Sequence, residues 1–140
     1  MTRSCGWSSR PFAASAAILT RVIAMHLEGY GATAPEGRDL VMLASAWVPF
    51  LAFVRHIAPD LLDEKLAAAA VLNEGARVEQ EVAFALADRL TAALDAGVVD
   101  QAVAAMGAAP GAPPPLGRLT VLQVRGFVAF VRASKGFAVW

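Results

Sequence analysis

Two histidines and a nearby aspartate are the side chains of this sequence with the clearest capacity for acid–base chemistry. His56 precedes Asp60 by four residues, the spacing at which side chains meet on one face of a helix. A carboxylate placed there can orient an imidazole as a general base. Pro59 lies between them, however, and is expected to end the helix. His56 is more simply explained as a polar residue near a helix C-terminus, where its cation is favoured.

His26 is the other candidate for catalysis. It lies at the end of a predicted first helix, beside the apolar face. This position is typical of a histidine at the boundary of the core, whose ring nitrogens are hydrogen-bonded by a neighbouring residue. His26, His56 and the carboxylates lack the close ligand spacing of a metal site, so we expect no metal and no cofactor. Cys5 is the only cysteine, which excludes an intramolecular disulfide and suits a reducing cytoplasm.

The composition limits the class of partner. Twelve basic residues balance twelve acidic ones, so the sequence shows no electrostatic footprint for nucleic acid. The longest charge-free run with large apolar side chains, residues 40–54, is shorter than a membrane span and contains Pro49. We therefore expect a soluble, cytoplasmic protein that binds neither nucleic acid nor a membrane.

Helical periodicity dominates the sequence, and its alanine content favours closely packed helices. The pattern predicts an all-α fold, a compact bundle of five to six helices in a single domain over residues 1–140. Pro49 should kink or split the second helix, and Asp60 should cap the third. The predicted helices are approximately residues 11–27, 39–54, 61–72, 77–96, 98–106 and 118–133.

Three segments of this domain have distinct expectations. Residues 1–10 are predicted to be mobile. Residues 107–117 contain four prolines and three glycines, a composition typical of an extended linker. Residues 118–140 then form a C-terminal helix followed by an extended aromatic tail.

The C-terminal segment also carries the predicted interaction residues. An aromatic tail must be buried, either on its own domain or on a partner, because a permanently exposed apolar patch promotes aggregation. Arginines on the last helix and acids on the fourth share a seven-residue spacing, which can set the register of a helix pair or mark two ordinary solvated faces. The predicted interaction residues are Phe127, Phe130, Phe137, Trp140, Arg125 and Arg132.

Two segments together resemble a pattern of small bacterial helical proteins that have no assigned activity. The first, NEGARVEQEVAFALADRLTAAL, runs from Asn73 to Leu94, and the second is the C-terminal FVAFVRASKGFAVW. Lys135 stands where the pattern would have a second glycine. The resemblance implies a bacterial helical domain, and it assigns no catalytic residue to this chain.

Two functions from different classes follow from these features. The first is a non-catalytic interaction or regulatory protein that binds another protein, or itself as a homo-oligomer, through an apolar helical face and the aromatic tail. The second is a small enzyme or carrier with a pocket for a hydrophobic small molecule, in which His26 or His56 supplies the polar or acid–base group. The two differ in whether both histidines face one cavity.

Overall fold

The computed structural model describes residues 24–71, 75–114 and 117–140. These residues form a mixed fold of helices and an antiparallel sheet, so the predicted all-α helical bundle is wrong, as is the helical domain that the resemblance implied. A single turn of 3₁₀ helix covers Pro35–Gly37. The strands and helices are β1 (Ala24–Gly29), β2 (Asp39–Leu43), α1 (Ala44–Ile57), α2 (Glu64–Val71), β3 (Ala76–Glu79), α3 (Gln80–Asp95), α4 (Val98–Ala108), α5 (Val121–Arg132) and β4 (Gly136–Val139).

The sheet has four strands in the order β2-β1-β4-β3, and all neighbours are antiparallel. The C-terminal strand β4 therefore lies in the interior of the sheet, between the first strand of the described chain and the third. All four of its residues are buried. The extended tail that the sequence predicted is thus a central strand of the chain's own domain.

Helices cover one face of this sheet, which we call the inner face. Its centre is a cluster of aromatic rings from α1, α5 and β4. The rings of Phe50 and Phe127 are 4.9 Å apart, and Phe137 packs edge-on against Phe127 at 5.6 Å. Trp47 is buried in the same cluster, and its indole Nε1 donates a hydrogen bond to the Ala70 carbonyl. The buried N–H of this tryptophan is therefore hydrogen-bonded.

Three segments predicted as helix are strands, and one of them, residues 77–79 at the start of the predicted fourth helix, belongs to β3. Residues 24–27, the end of the predicted first helix, belong to β1, whereas residues 11–23 lie outside the described part of the chain. Residues 39–43, the start of the predicted second helix, form β2. Strands β1 and β2 exchange backbone hydrogen bonds in one ladder, from Ala24 opposite Leu43 to Glu28 opposite Asp39, and this long-range pairing replaces the local helical bonds.

Pro49 lies inside α1, which continues as one helix from Ala44 to Ile57. The sequence predicted a kink or a split because proline removes one backbone hydrogen bond. Large side chains on both sides of Pro49, Trp47 before it and Phe50 after it, are buried in the same core. Packing on a common surface therefore holds the two halves in one helix despite the missing bond.

The helix caps also differ from the expected ones. Asp63, rather than Asp60, accepts a hydrogen bond from the backbone N–H of Leu66 at the start of α2. Helix α5 begins at Val121 because Thr120 and Gln123 form a capping box, in which each side chain bonds the other's backbone N–H. The cap therefore starts this helix three residues after the predicted Arg118.

The predicted linker is only partly outside regular structure. Gly107 and Ala108 belong to the end of α4, and the connection to α5 begins at Ala109. The other long connection, between β1 and β2, is held to the end of α5 by two backbone hydrogen bonds. The N–H of Thr33 donates to the carbonyl of Ala133, and the N–H of Lys135 donates to the carbonyl of Tyr30. Among the residues described, no helix is both long and apolar enough to cross a membrane.

Candidate interaction surface

The second face of the sheet, which we call the outer face, is built from the residues that alternate with the core residues. Met25 and Leu27 of β1 point into the core, so His26 and Glu28 point outward. The same alternation puts Asp39 and Val41 of β2, and Arg77 and Glu79 of β3, on the outer face. On β4 the outward residues are Gly136 and Ala138, followed by Trp140.

One row of this face runs from β2 across β1 to Trp140, the residue after β4, and carries two large exposed apolar side chains. His26 lies opposite Val41 in the β1–β2 ladder, and it exchanges both backbone hydrogen bonds with Trp140 on its other side. Val41 is 64% exposed and Trp140 is 50% exposed. Burying such side chains is favourable by roughly 1.5–3 kcal/mol each when complete, so this row is the most favourable place on the outer face for another molecule to pack.

His26 is held at the centre of the row by an ion pair or hydrogen bond to Asp39. The distance from His26 Nε2 to Asp39 Oδ1 is 2.7 Å, and both side chains are substantially exposed. The carboxylate orients the imidazole in the manner of a general-base pair. The row neighbours of His26, Val41 and Trp140, have no nucleophilic group, so the arrangement positions the ring without completing a catalytic set.

The opposite half of the outer face is covered by a stacked pair of side chains. The guanidinium carbon of Arg77 lies 4.7 Å from the centre of the Tyr30 ring, a cation–π contact. Arg77 is on β3 and Tyr30 follows β1, so the stack spans β4, which lies between them. Because Gly136 and Ala138 are small, the stack can lie close to β4, and Ala138 is accordingly buried.

Trp140 is positioned by the glycine that precedes β3. Gly75 has a φ of 78°, a conformation that L side chains rarely adopt. A Cβ added to Gly75 would come within 2.7 Å of the Trp140 ring. The absence of a side chain at Gly75 therefore lets one side of the indole pack on the backbone while its other side stays exposed.

The structure separates the predicted catalytic residues. His56 is exposed in the last turn of α1, whereas His26 is on the outer face of the sheet. Asp60 does not pair with His56: its carboxylate accepts two hydrogen bonds from Arg89 of α3, at 2.8 and 3.1 Å. These hydrogen bonds from Arg89 lower the pKa of Asp60, and the carboxylate raises the pKa of Arg89. Arg89 also donates to the Ile57 carbonyl, so the trio ties the end of α1 to α3.

The predicted interaction residues fall into two groups. Phe127, Phe130 and Phe137 are buried in the core, where they contact one another and stabilise the fold. Trp140 lies on the outer face with half of its surface exposed. The four predicted aromatic residues are therefore divided between the core and the surface, and among these four only Trp140 presents its ring to solvent.

Arg125 and Arg132 line a surface groove of about 340 Å³ between α3 and α5, together with Asp95. Arg132 donates to Asp88 and to Thr91 of α3, both at 3.1 Å. Moving seven residues back from Arg132 and seven forward from Asp88 gives Arg125 and Asp95. Arg125, Arg132 and Asp95 line the same groove, so the two charged rows lie side by side on α3 and α5, which is one of the two alternatives that the shared spacing left open.

One enclosed cavity, formed by described residues of the core, is too small for a substrate. It measures about 20 Å³ and is lined by apolar side chains from α1, β3, β4 and other core elements, which is room for about one water molecule. Neither histidine lines it. Within the described ranges, no group of three or more His, Cys, Asp and Glu side chains is arranged to hold a metal ion.

Several residues of the outer face were not singled out by sequence reasoning. Asp39, Val41, Arg77 and Tyr30 come together only through strand pairing, over separations of up to 47 positions between Tyr30 and Arg77. A signal for two of the strands was nevertheless present. Residues 25–28 (MHLE) and residues 76–79 (ARVE) each alternate apolar and polar side chains, the period of a half-buried strand.

The fold and this surface define a class: a small two-layer domain with helices on one face of an antiparallel sheet and a second face that no helix of the described residues covers. Comparisons with protein-family models, with curated proteins and with solved structures find no match to this chain. The functional argument therefore depends on the geometry of the outer face.

Proposed function

We propose that this protein is a non-catalytic interaction protein that binds a protein partner through the outer face of its sheet. One observation carries the proposal: Val41 and Trp140 flank His26 in a single row, and each exposes half or more of its surface. This replaces the apolar helical face of the sequence-based hypothesis with a sheet face, and it retains the tryptophan of the aromatic tail.

The composition of the outer face is that of a protein interface. Its centre is apolar and aromatic, and charged side chains surround it, as in the core and rim of known interfaces. Tryptophan and arginine are the residue types that most often dominate binding energy. The rim carries three carboxylates, from Glu28, Asp39 and Glu79, against the guanidinium of Arg77. A partner with an apolar patch and a basic rim is therefore complementary to it.

The rigidity of the sheet supports the same function. The row residues belong to paired strands or exchange backbone hydrogen bonds with one, so the backbone that presents them is ordered before a partner arrives. A preformed surface avoids the entropy cost of ordering a loop during association.

We also propose a cytoplasmic location, which the single cysteine of the sequence supports.

The enzyme or carrier hypothesis has less support. His26 and His56 lie on different elements, and the enclosed core cavity has no polar group from either. The His26–Asp39 pair orients an imidazole, yet its row neighbours offer no nucleophile. The interaction function explains the exposed tryptophan and valine, whereas the enzyme function leaves them without a role.

The proposal is tested by site-specific photo-crosslinking followed by a binding titration. A photoreactive residue placed at position 41 or 140 in the source cells should crosslink one common protein, and the same residue at Leu122 should not. Leu122 is 79% exposed on α5, away from the sheet, and it serves as the matched control. With the purified partner, Trp140→Ala should raise the Kd by about 30-fold, as expected for a hot-spot tryptophan worth about 2 kcal/mol.

Leu122→Ala should leave that Kd unchanged. The proposal is overturned if positions 41 and 140 crosslink no common protein, or if Trp140→Ala and Leu122→Ala affect the titration equally. Catalytic turnover that is lost in His26→Ala but kept in Trp140→Ala would instead establish the enzyme function.

A further inference from the structure

The two edges of the sheet differ in how they are protected. Strand β3 has four residues, and its two outward side chains, Arg77 and Glu79, are charged, exposed and paired with each other at 3.3 Å. Charged side chains on a short edge strand are a common protection against pairing with another chain. Strand β2 is one residue longer, and the outward side chain at its middle is the exposed, uncharged Val41. Its one charged residue, Asp39, lies at the end of the strand and is paired with His26. The β2 edge is therefore the less protected of the two.

The ladder shows which backbone groups of β2 point away from the sheet. Gly29 donates its N–H to the Arg38 carbonyl, and Gly29 and Arg38 continue the β1–β2 register. In an antiparallel pair, hydrogen-bonded positions alternate. Leu40 and Met42 consequently direct their backbone groups toward β1, and Asp39, Val41 and Leu43 direct theirs outward. Within the described residues, β1 is the one strand beside β2.

We propose that two copies of this chain pair through β2, antiparallel, about a two-fold axis at Val41. The N–H and carbonyl of Val41 then bond those of Val41 in the second copy, and the N–H of Leu43 bonds the carbonyl of Asp39 across the axis. The four-stranded sheets join into one sheet of eight strands. A two-fold contact of this kind closes on itself, so it forms a dimer rather than a fibre.

The side chains of β2 fit this register. Val41 lies beside Val41 of the second copy on the outer face, where two apolar side chains can pack. Asp39 lies opposite Leu43, so no like charges are directly opposed. Helix α1 turns into the core immediately after Leu43, since Ala46 and Trp47 are fully buried. A second copy therefore matches the edge in both backbone and side chains.

The dimer also doubles the proposed binding surface. Directly opposed residues in an antiparallel pair point to the same side of the sheet, so both outer faces lie on one side of the eight-stranded sheet. Each copy contributes its own row of Val41, His26 and Trp140 to this surface. The pairing itself does not depend on the proposed function, because Trp140 lies beside β1 and takes no part in the β2 edge.

The experiment measures mass by light scattering coupled to size-exclusion chromatography over a range of concentrations. The unmodified chain should form a dimer. Val41→Lys and Val41→Asp should each shift it to the monomer, because like charges would then be directly opposed at the axis. A mixture of the two variants should recover the dimer mass, since the opposed charges attract. Val48→Lys, at another exposed valine on α1, should leave the dimer intact.

Far-ultraviolet circular dichroism of each variant should match that of the unmodified chain, because Val41 is mostly exposed. The proposal is overturned if the unmodified chain is a monomer up to about 1 mM, the range in which even weak pairs associate. It is also overturned if Val41→Lys remains a dimer, or if mixing the two folded variants does not recover the dimer. Trp140→Ala should keep the dimer mass even if it abolishes partner binding, which separates this test from that of the proposed function.

Discussion

Gly126 lies within α5, where a glycine lowers helix stability and no packing requires it. A Cβ added at this position would meet no atom within 4 Å. Gly126→Ala should raise the free energy of unfolding by about 0.8–1 kcal/mol, the difference between the two residues in a helix interior. Urea unfolding followed by circular dichroism measures this change.

Gly97 provides the matched control, because a Cβ added there also meets open space. Its φ of 75° lies in the left-handed region, where an L side chain costs about 1–2 kcal/mol. Gly97→Ala should therefore lower the free energy of unfolding by about 1 kcal/mol. If both alanine variants changed stability in the same direction, backbone conformation would not be the deciding factor at these sites.

The Asp60–Arg89 pair should make stability depend on pH. Arg89 lowers the pKa of Asp60 in the folded chain, so the stabilisation is fully present above the unfolded pKa of about 3.9. This stabilisation is lost as the pH falls through the lower pKa that Asp60 has in the folded chain. A double-mutant cycle with Asp60→Asn and Arg89→Met should show a coupling energy at pH 7 that disappears in strong acid. A coupling that persists unchanged at low pH would contradict this assignment.

Among the elements, β4 shows most clearly how one short segment can determine the architecture. Phe137 is buried against Phe127 and Phe130, whereas Trp140, three residues later, is half exposed. Phe137→Ala should lower the free energy of unfolding by about 3–5 kcal/mol, as for other large core truncations. Trp140→Ala should lower it by roughly 1 kcal/mol, in proportion to its smaller buried area.

Thermal and urea unfolding of both variants measure these differences. Deletion of residues 137–140 should prevent cooperative unfolding altogether, because it removes the strand that connects β1 to β3 and takes away a large part of a typical net stability of 5–15 kcal/mol. Equal effects of Phe137→Ala and Trp140→Ala would show that β4 does not occupy the centre of the sheet.

The strands were the elements that the sequence-based prediction missed, for reasons that differ between them. β1 and β3 alternate, but each is only four to six residues long and lies next to a helical pattern. β4 is buried on both faces, so Gly136 to Val139 show no alternation. By contrast, α3 was correctly placed to within a few residues, because its apolar face repeats over four turns.

At the scale of the whole molecule, the connection between α4 and α5 should be the first site of limited proteolysis within residues 24–140. It begins at Ala109, and residues 109–111 are exposed. The β1–β2 connection is the matched internal control. Two backbone hydrogen bonds hold it, one from the N–H of Thr33 to Ala133 and one from the N–H of Lys135 to the carbonyl of Tyr30. Proteolysis requires local unfolding, which costs less where few hydrogen bonds must break.

A broad-specificity protease at low ratio, with fragments identified by mass spectrometry, measures this order of cleavage. The expected early fragments end or begin within residues 107–117, the segment that the sequence identified as a linker. Initial cleavage within residues 30–38 would mean that the contacts to the end of α5 do not restrain that connection.

The sequence by itself determined the features that depend on neighbours within one or two turns. The 3.6-residue periodicity identified most of the helical segments, and the seven-residue spacing of charges offered a pairing of α3 with α5 as one of two alternatives, of which the Arg132–Asp88 contact is an instance. The tertiary structure decided the sheet, because strand pairing joins residues that are distant in the chain: His26 with Asp39, and Tyr30 with Arg77. The outer face exists only through that pairing, since a strand's hydrogen-bonding partners lie on other strands.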